Sequence, residues 1–409
     1  MARLSSSTSE PAQAWPEALG LFDAAFGSVA VCAATSDRSW VQAMLDVEAA
    51  LAAGGARVGL LPEAAATQIA AECQFELYDV AAIARGVATD ATPVVELVRQ
   101  LRALVAPDVQ QHVHLVATSQ DIVDTATMLV ARRALHAALG DARAVASTLA
   151  ALAVEHRDTV QAGRTLLQHG AVTTFGAQFA SRLVAVDDAI AGVERFLRDR
   201  CAVQLGGAVG TLAPAGDAAA DLVAEVAREL HLAVPVVPWH TSRGRVAELA
   251  AAAGILAGEL AAVAQDIVLL SATEIGEVAV AHPGGSSAMG HKRNPATAIL
   301  AIACAHRVPG LVATVLAGMP QELQRATGRW QAEWGTLTDL LRLVGGTARH
   351  TAATVDGLRV DRERMRAHVD DLVAAGGDAG SGSAGLFVDR AVQHHAEQDQ
   401  AEQDQGGTS

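Results

Sequence analysis

The sequence predicts an all-α protein, and three observations predict it. Alanine supplies much of a 51% apolar composition, and alanine has the highest intrinsic helix propensity. Aromatic residues are only 3%, with a single tyrosine, so the residues that favour strands are scarce. Proline, which breaks helix interiors, is absent between Pro107 and Pro214 and from Trp239 to His282. With 409 residues, the chain is long enough for two or three domains and a sizeable core.

Taken in order, the chain opens on MARLSSSTSEPAQAWPEAL, which has no apolar signal-peptide core. Residues 1–13 are expected to be disordered. Residues 14–110 read as an N-terminal helical domain of short helices separated by Pro62, Pro93 and Pro107. Residues 111–356 read as a central bundle of long helices. The first runs from Ser119 to about Val160, capped by Thr118 or Ser119, with Asp121 in its first turn. The others span about Gly176–Arg200, Val246–Leu270, Asn294–Met319 and Glu333–Asp356. Several are apolar on more than one face, which calls for burial inside a larger bundle than one chain provides. Charges within the apolar stretches, such as Glu259 and Asp266, argue against membrane spans. Residues 357–392 form a reduced C-terminal helical domain. The repeated AEQDQ and Gly-rich end make 393–409 a disordered tail.

Composition also excludes function classes. A net charge of −15 disfavours a duplex nucleic-acid binder. A small anion remains compatible, because a few arginines and a lysine can hold it locally. The four cysteines form no C-x-x-C pair, so neither a disulfide framework nor a zinc site is indicated. His112 and His114 lack a third metal ligand nearby. The expected protein is soluble and cytoplasmic, with no metal and no cofactor.

Three polar segments interrupt the apolar pattern. HVHLVATSQDIVD (112–124) sets Thr118 and Ser119 before a long helix, whose free N–H groups favour anions; a plain helix cap is the competing reading. GRTLLQHGAVTTFG (163–176) carries Arg164, Thr165 and Gln168, all donors to carboxylates; a polar turn between helices competes. GGSSAMGHKRNP (284–295) combines mobile glycines, Ser286 and Ser287, and the Lys292–Arg293 pair. A serine held among backbone N–H dipoles beside a lysine suits a base.

The third segment resembles the G-S-S-x-M-P-x-K-x-N-P loop of the fumarase/aspartase superfamily, and the other two resemble its first and second shared regions. SDRSWVQAMLDVEAALA (36–52), QLGGAVGTLA (204–213), PWHTSRGRVAELA (238–250) and QRATGRWQAEW (324–334) are similar to its branch that cyclises 3-carboxy-cis,cis-muconate. The resemblance covers roughly residues 20–390. It implies a three-domain helical fold with a central five-helix bundle, a homotetramer with a twenty-helix core, and active sites shared among three subunits. It implies lactonisation of that tricarboxylate in protocatechuate breakdown, by carboxylate addition to a carbon–carbon double bond and serine-mediated proton transfer at the α carbon. By the same resemblance, Ser286 is the base, while Lys292 and Asn294 hold carboxylates. Thr118, Ser119 and Gln120 form a carboxylate-binding turn with His114. Thr165 and Gln168 belong to the second region, and Arg325 is the candidate for a third carboxylate.

Two departures qualify this. Leu166 stands where many of these lyases have a histidine acid. An amine or hydroxide leaving group needs that acid, whereas a carboxylate, with a pKa near 4, does not; His169 is a candidate substitute. Gly290 replaces the loop proline and loosens the loop. An adenylosuccinate lyase-like C–N lyase and a non-enzymatic helical scaffold are the alternatives.

Overall fold

The computed structural model describes residue 20 and residues 22–406; the expectation for 1–13 falls outside them. After two short helices, α1 (Asp23–Phe26) and α2 (Val29–Ala34), the N-terminal part comprises α3 (Asp37–Arg57), α4 (Glu63–Glu72), α5 (Val80–Asp90) and α6 (Val94–Leu104). Pro62 and Pro93 stand at the N-caps of α4 and α6, where a missing N–H costs nothing.

Five long helices follow in up-and-down order: α7 (Ser119–Glu155), α8 (Phe175–Asp199), α10 (Gly244–Leu270), α11 (Ala296–Ala317) and α12 (Arg329–Val355). The short α9 (Ala219–Leu230) docks on α3. Every residue from Gln120 to Ala131 on α7 is buried, as a helix apolar on all sides must be. One continuous core joins α3, α4 and α6 to the long bundle. Thus the five helices predicted from proline spacing are present, each end within about five residues of expectation.

The bundle is not closed on its outside. Ile255, Ile299 and Leu316 are each about half exposed. Helices α7, α10 and α11 are long and apolar enough to cross a membrane by length and composition, a stronger signal than the sequence reading allowed. Their charged residues do not prevent this, because an 18-residue window avoids most of them. Pro309 lies inside α11, on an exposed position, so proline spacing is not an absolute guide here.

Two further differences concern the chain's ends and turns. The second polar segment is a β-hairpin, β1 (Val160–Thr165) with β2 (Gln168–Thr174), not a helix-to-helix turn. Its β-branched VTT run suits an extended backbone. A second small pair joins β3 (Val278–Ala279) to β4 (Arg359–Val360). After α13 (Arg362–Ala374), α14 (Ala384–Gly406) runs through most of the expected disordered tail. Ala, Glu and Gln are good helix formers, and Gln393 bonds Glu397 one turn on. The base of α14 is anchored to the bundle by Arg157, which grips Asp389 with two hydrogen bonds of 2.8 and 2.7 Å.

Candidate active site

The first polar segment is built around a carboxylate that sequence reasoning treated only as a first-turn acid. Asp121 is fully buried. It accepts from Thr118 N at 3.0 Å, Gln204 Nε2 at 3.1 Å, Gly206 N at 3.1 Å and Gly207 N at 2.8 Å, and His240 Nε2 lies 2.6 Å away. One side chain therefore ties 112–124 to QLGG and PWHT. Gly207 makes this approach possible: its φ is +67°, and a Cβ there would sit 2.8 Å from Val116 O. Arg325 reaches the same place, donating to Gly207 O at 2.7 Å.

Beneath this turn lies a second buried charge cluster. Arg243 donates to Asp124 at 2.7 and 3.0 Å and to Glu333 at 3.0 Å. Trp330 and Gln120 also donate to Asp124, at 2.9 and 3.1 Å. Gln120 is thereby turned inward, its amide spent on Asp124 and on His240 O, while Thr118 and Ser119 are only half-buried. Thr118, Ser119 and Arg325 lie at one end of the bundle, with Gln120 turned beneath them. The supporting roles of Asp121, Asp124, His240 and Arg243 were missed. Their only trace was the family-like wording of 112–124, 204–213 and 238–250, since a single charged position leaves no periodicity.

The hairpin and the Gly/Ser loop stand at the opposite end. Buried Glu277, just before β3, accepts from Arg164 at 2.6 and 3.0 Å and from Gln161 at 2.9 Å, with His368 Nδ1 at 2.6 Å. Burial would raise its pKa, but these donors hold the carboxyl below the usual range. Arg164 is thus committed to Glu277. The register pairs Thr165 with Gln168 and Arg164 with His169, so alternation puts His169 on the opposite face from Thr165 and Gln168. Its ring packs toward His368, centroids 5.7 Å apart, which does not place it as a stand-in for the missing histidine at Leu166.

The turn itself is Leu166–Leu167, with φ of +51° and +62°. A two-residue hairpin turn of this kind is normally built from Asn and Gly. Leu166 is 97% exposed. Left-handed leucines cost about 1–2 kcal/mol each and persist where other interactions demand them. Replacing both with Asn-Gly is therefore expected to raise thermal stability of the isolated chain while lowering kcat/KM several-fold; an unchanged kcat/KM would remove the tip from the site.

The Gly/Ser loop is pinched shut by Gly284 and Asn294, which exchange hydrogen bonds of 2.8 and 2.9 Å, and Asn294 Nδ2 donates to Gly285 O at 2.9 Å. A Cβ on Gly284 would come within 2.7 Å of Ala296. Ser286 Oγ accepts from Met289 N at 3.1 Å and Ala288 N at 3.4 Å. Those two dipoles favour the deprotonated hydroxyl. Lys292 is exposed on the loop and is the chain's only lysine; every other basic residue among the 30 Lys+Arg is arginine. A compact ammonium on a flexible stem suits a mobile loop. No group of three or more potential metal ligands occurs among the described residues.

The two ends are far apart. The 37 residues of α7 separate Thr118 from the hairpin by roughly 55 Å, at about 1.5 Å per residue.

The class of this helical bundle, with polar motifs at both ends, comes from comparison with known proteins. A family model described as Lyase matches residues 28–310, and the chain belongs to this lyase family, with the fumarase/aspartase fold. Within it, the chain is 46% identical to a 3-carboxy-cis,cis-muconate cycloisomerase of Pseudomonas aeruginosa, over 85% of this chain and 77% of that one. It is 42% identical to a nitrosuccinate lyase of Streptomyces davaonensis, over 86% and 77%. The crystal structure of the 3-carboxy-cis,cis-muconate lactonizing enzyme from Pseudomonas putida superposes with a TM-score of 0.86 at 35% identity, covering 93% of this chain and 99% of that one.

Proposed function

We propose that this protein is a 3-carboxy-cis,cis-muconate cycloisomerase, forming 4-carboxymuconolactone. The single observation that carries the reading is the 46% identity to a 3-carboxy-cis,cis-muconate cycloisomerase over 85% of this chain; Ser286, Lys292 and Asn294 in the loop, and Leu166 in place of an acid, are compatible with it. In the lactonising direction a substrate carboxylate oxygen bonds to one alkene carbon, and Ser286 delivers a proton to its neighbour, α to a carboxylate. The intermediate is an enolate-like aci-carboxylate, stabilised by cationic and N–H donors. In reverse, Ser286 removes that proton and the carboxylate leaves as a weak base, needing no proton of its own. Lys292, Asn294, Thr118, Ser119 and Arg325 bind the three carboxylates, and Thr165 and Gln168 extend that set from the hairpin.

The site is assembled from several copies, in a soluble, cytoplasmic homotetramer. The ~55 Å between the two ends of α7 supports this, as do the half-exposed apolar residues Ile255, Ile299 and Leu316. Co-refolding two inactive variants, Ser286→Ala and Arg325→Ala, is expected to restore activity, because some sites then draw intact residues from different subunits. Absence of any restored activity would place both residues in one chain's site.

Elimination of nitrite from nitrosuccinate is the second reading. The Streptomyces relative favours it, and nitrite also leaves without protonation, so Leu166 does not separate the two. The deciding experiment offers both substrates to purified protein, following loss of diene absorbance and release of nitrite. Diene loss alone supports the cycloisomerase; nitrite alone overturns it.

A further inference from the structure

Glu48 is a carboxylate that the proposed mechanism does not use. It sits on α3, 1% exposed, among the apolar residues Met44, Val47 and Leu51. One of its oxygens, Oε1, lies 2.6 Å from His114 Nδ1. The other, Oε2, is buried with no hydrogen-bond partner. An acid so enclosed is costly unless its charge serves something.

What it holds is strained. His114 has φ +62° and Val116 has φ +53°, and a β-branched residue there is a conformational outlier. Two left-handed residues in three, four and two positions before the Thr118 cap, mark a turn over-determined by its surroundings. With Nδ1 fixed by Glu48, the Nε2 edge of His114 has no hydrogen-bond partner among the described residues. A histidine oriented through one nitrogen presents the other in a fixed direction.

We propose that Glu48 is a positioning residue: its buried carboxylate orients His114 beside the carboxylate-binding turn. His114 then supplies a substrate carboxylate with a second positive group at the Arg325 end of the bundle. The groups that face it are Glu48 from α3, Asp121 from α7 and Arg102 from α6. Burial and Arg102 disfavour the charged ring, while Glu48 first, and then Asp121, favour it and prevail. The sign follows: with the ring's pKa raised, more of His114 is protonated at a given pH than in a free imidazole, and the cation is lost as pH rises through the raised value. This role rests on the proposed use of the turn for carboxylates, but not on which carboxylate substrate is turned over.

The test is Glu48→Gln in the full-length protein, with two readouts. The first is the NMR titration of the His114 imidazole, assigned by its disappearance in His114→Asn. Glu48→Gln is expected to lower its midpoint by about one pH unit or more. The second is calorimetric binding of propane-1,2,3-tricarboxylate at pH 7.5 and 5.5. Glu48→Gln is expected to weaken binding about tenfold at pH 7.5 and less at pH 5.5, where a larger share of the ring is protonated without Glu48. His114→Asn is expected to weaken it at both. An unmoved titration overturns the proposal, as does a moved titration with unchanged binding at pH 7.5. If the wild type binds the tricarboxylate yet leaves 3-carboxy-cis,cis-muconate intact, the substrate assignment fails while the role of Glu48 stands or falls on its own data.

Discussion

Ser286→Ala is expected to turn over 3-carboxy-cis,cis-muconate roughly 10³-fold more slowly than wild type, with KM changed less than about threefold. General acid–base groups contribute typically 10²–10⁴-fold, and in the proposed mechanism the lost hydroxyl exchanges the α proton. The proposed carboxylate-binding residues Lys292, Asn294, Thr118 and Arg325 are untouched, so kcat and kcat/KM are expected to fall together. Ser287→Ala is the internal control. Ser287 is exposed and accepts neither loop N–H, whereas Ser286 Oγ accepts from both Met289 and Ala288. Steady-state kinetics on the two variants, with solvent deuterium incorporation into the lactone, decides the point. A Ser287→Ala enzyme as slow as expected for Ser286→Ala would reverse the assignment.

How much of this was legible in the sequence differs by scale. The five long helices were readable because each is a proline-poor apolar run, and α7 begins where Thr118 and Asp121 cap it. The three polar segments were readable because they interrupt those runs. The hairpin was not: Leu166–Leu167 carries no Asn or Gly to announce a two-residue turn, and the strain is visible only as φ. The helical continuation of α14 was hidden by its polarity, since Ala, Glu and Gln lack a hydrophobic stripe but retain helix propensity. The burial of Gln120 was equally hidden; its neighbours Thr118 and Ser119 face outward, and only the pairing with Asp124 turns it inward. The supporting charges, Glu48, Asp121, Asp124, Arg243 and Glu333, come from three helices and one helix cap. Contacts between residues 66 to 119 positions apart leave no local pattern to read.

Arg243→Met is expected to be the most destabilising single change in the bundle. The wild-type guanidinium is 1% exposed and faces Asp124 and Glu333, which are 2% and 3% exposed. Two carboxylates share one cation, so burial already raises the Glu333 pKa even with Arg243 in place. The methionine fills a similar volume and cannot pair with either acid. Removing one partner of a buried ionic cluster costs about 3–5 kcal/mol, which lowers Tm by about 5 °C in a chain of this length. The pH dependence has a definite sign. With the cation gone, Glu333 is raised further in the folded state, so the folded form binds more protons than the unfolded one. The variant therefore recovers stability as pH falls toward 5 and loses it as pH rises through the raised value. Thermal denaturation across pH 5–8 measures this. A variant equally destabilised at every pH would mean that lost packing over Trp239, whose ring centre lies 5.2 Å from the guanidinium carbon, outweighs the charge. Because Asp124 and Asp121 stand on one turn of α7, the same variant also loosens the floor under Thr118 and Arg325. A rise in KM is accordingly expected at temperatures where the fold is still intact.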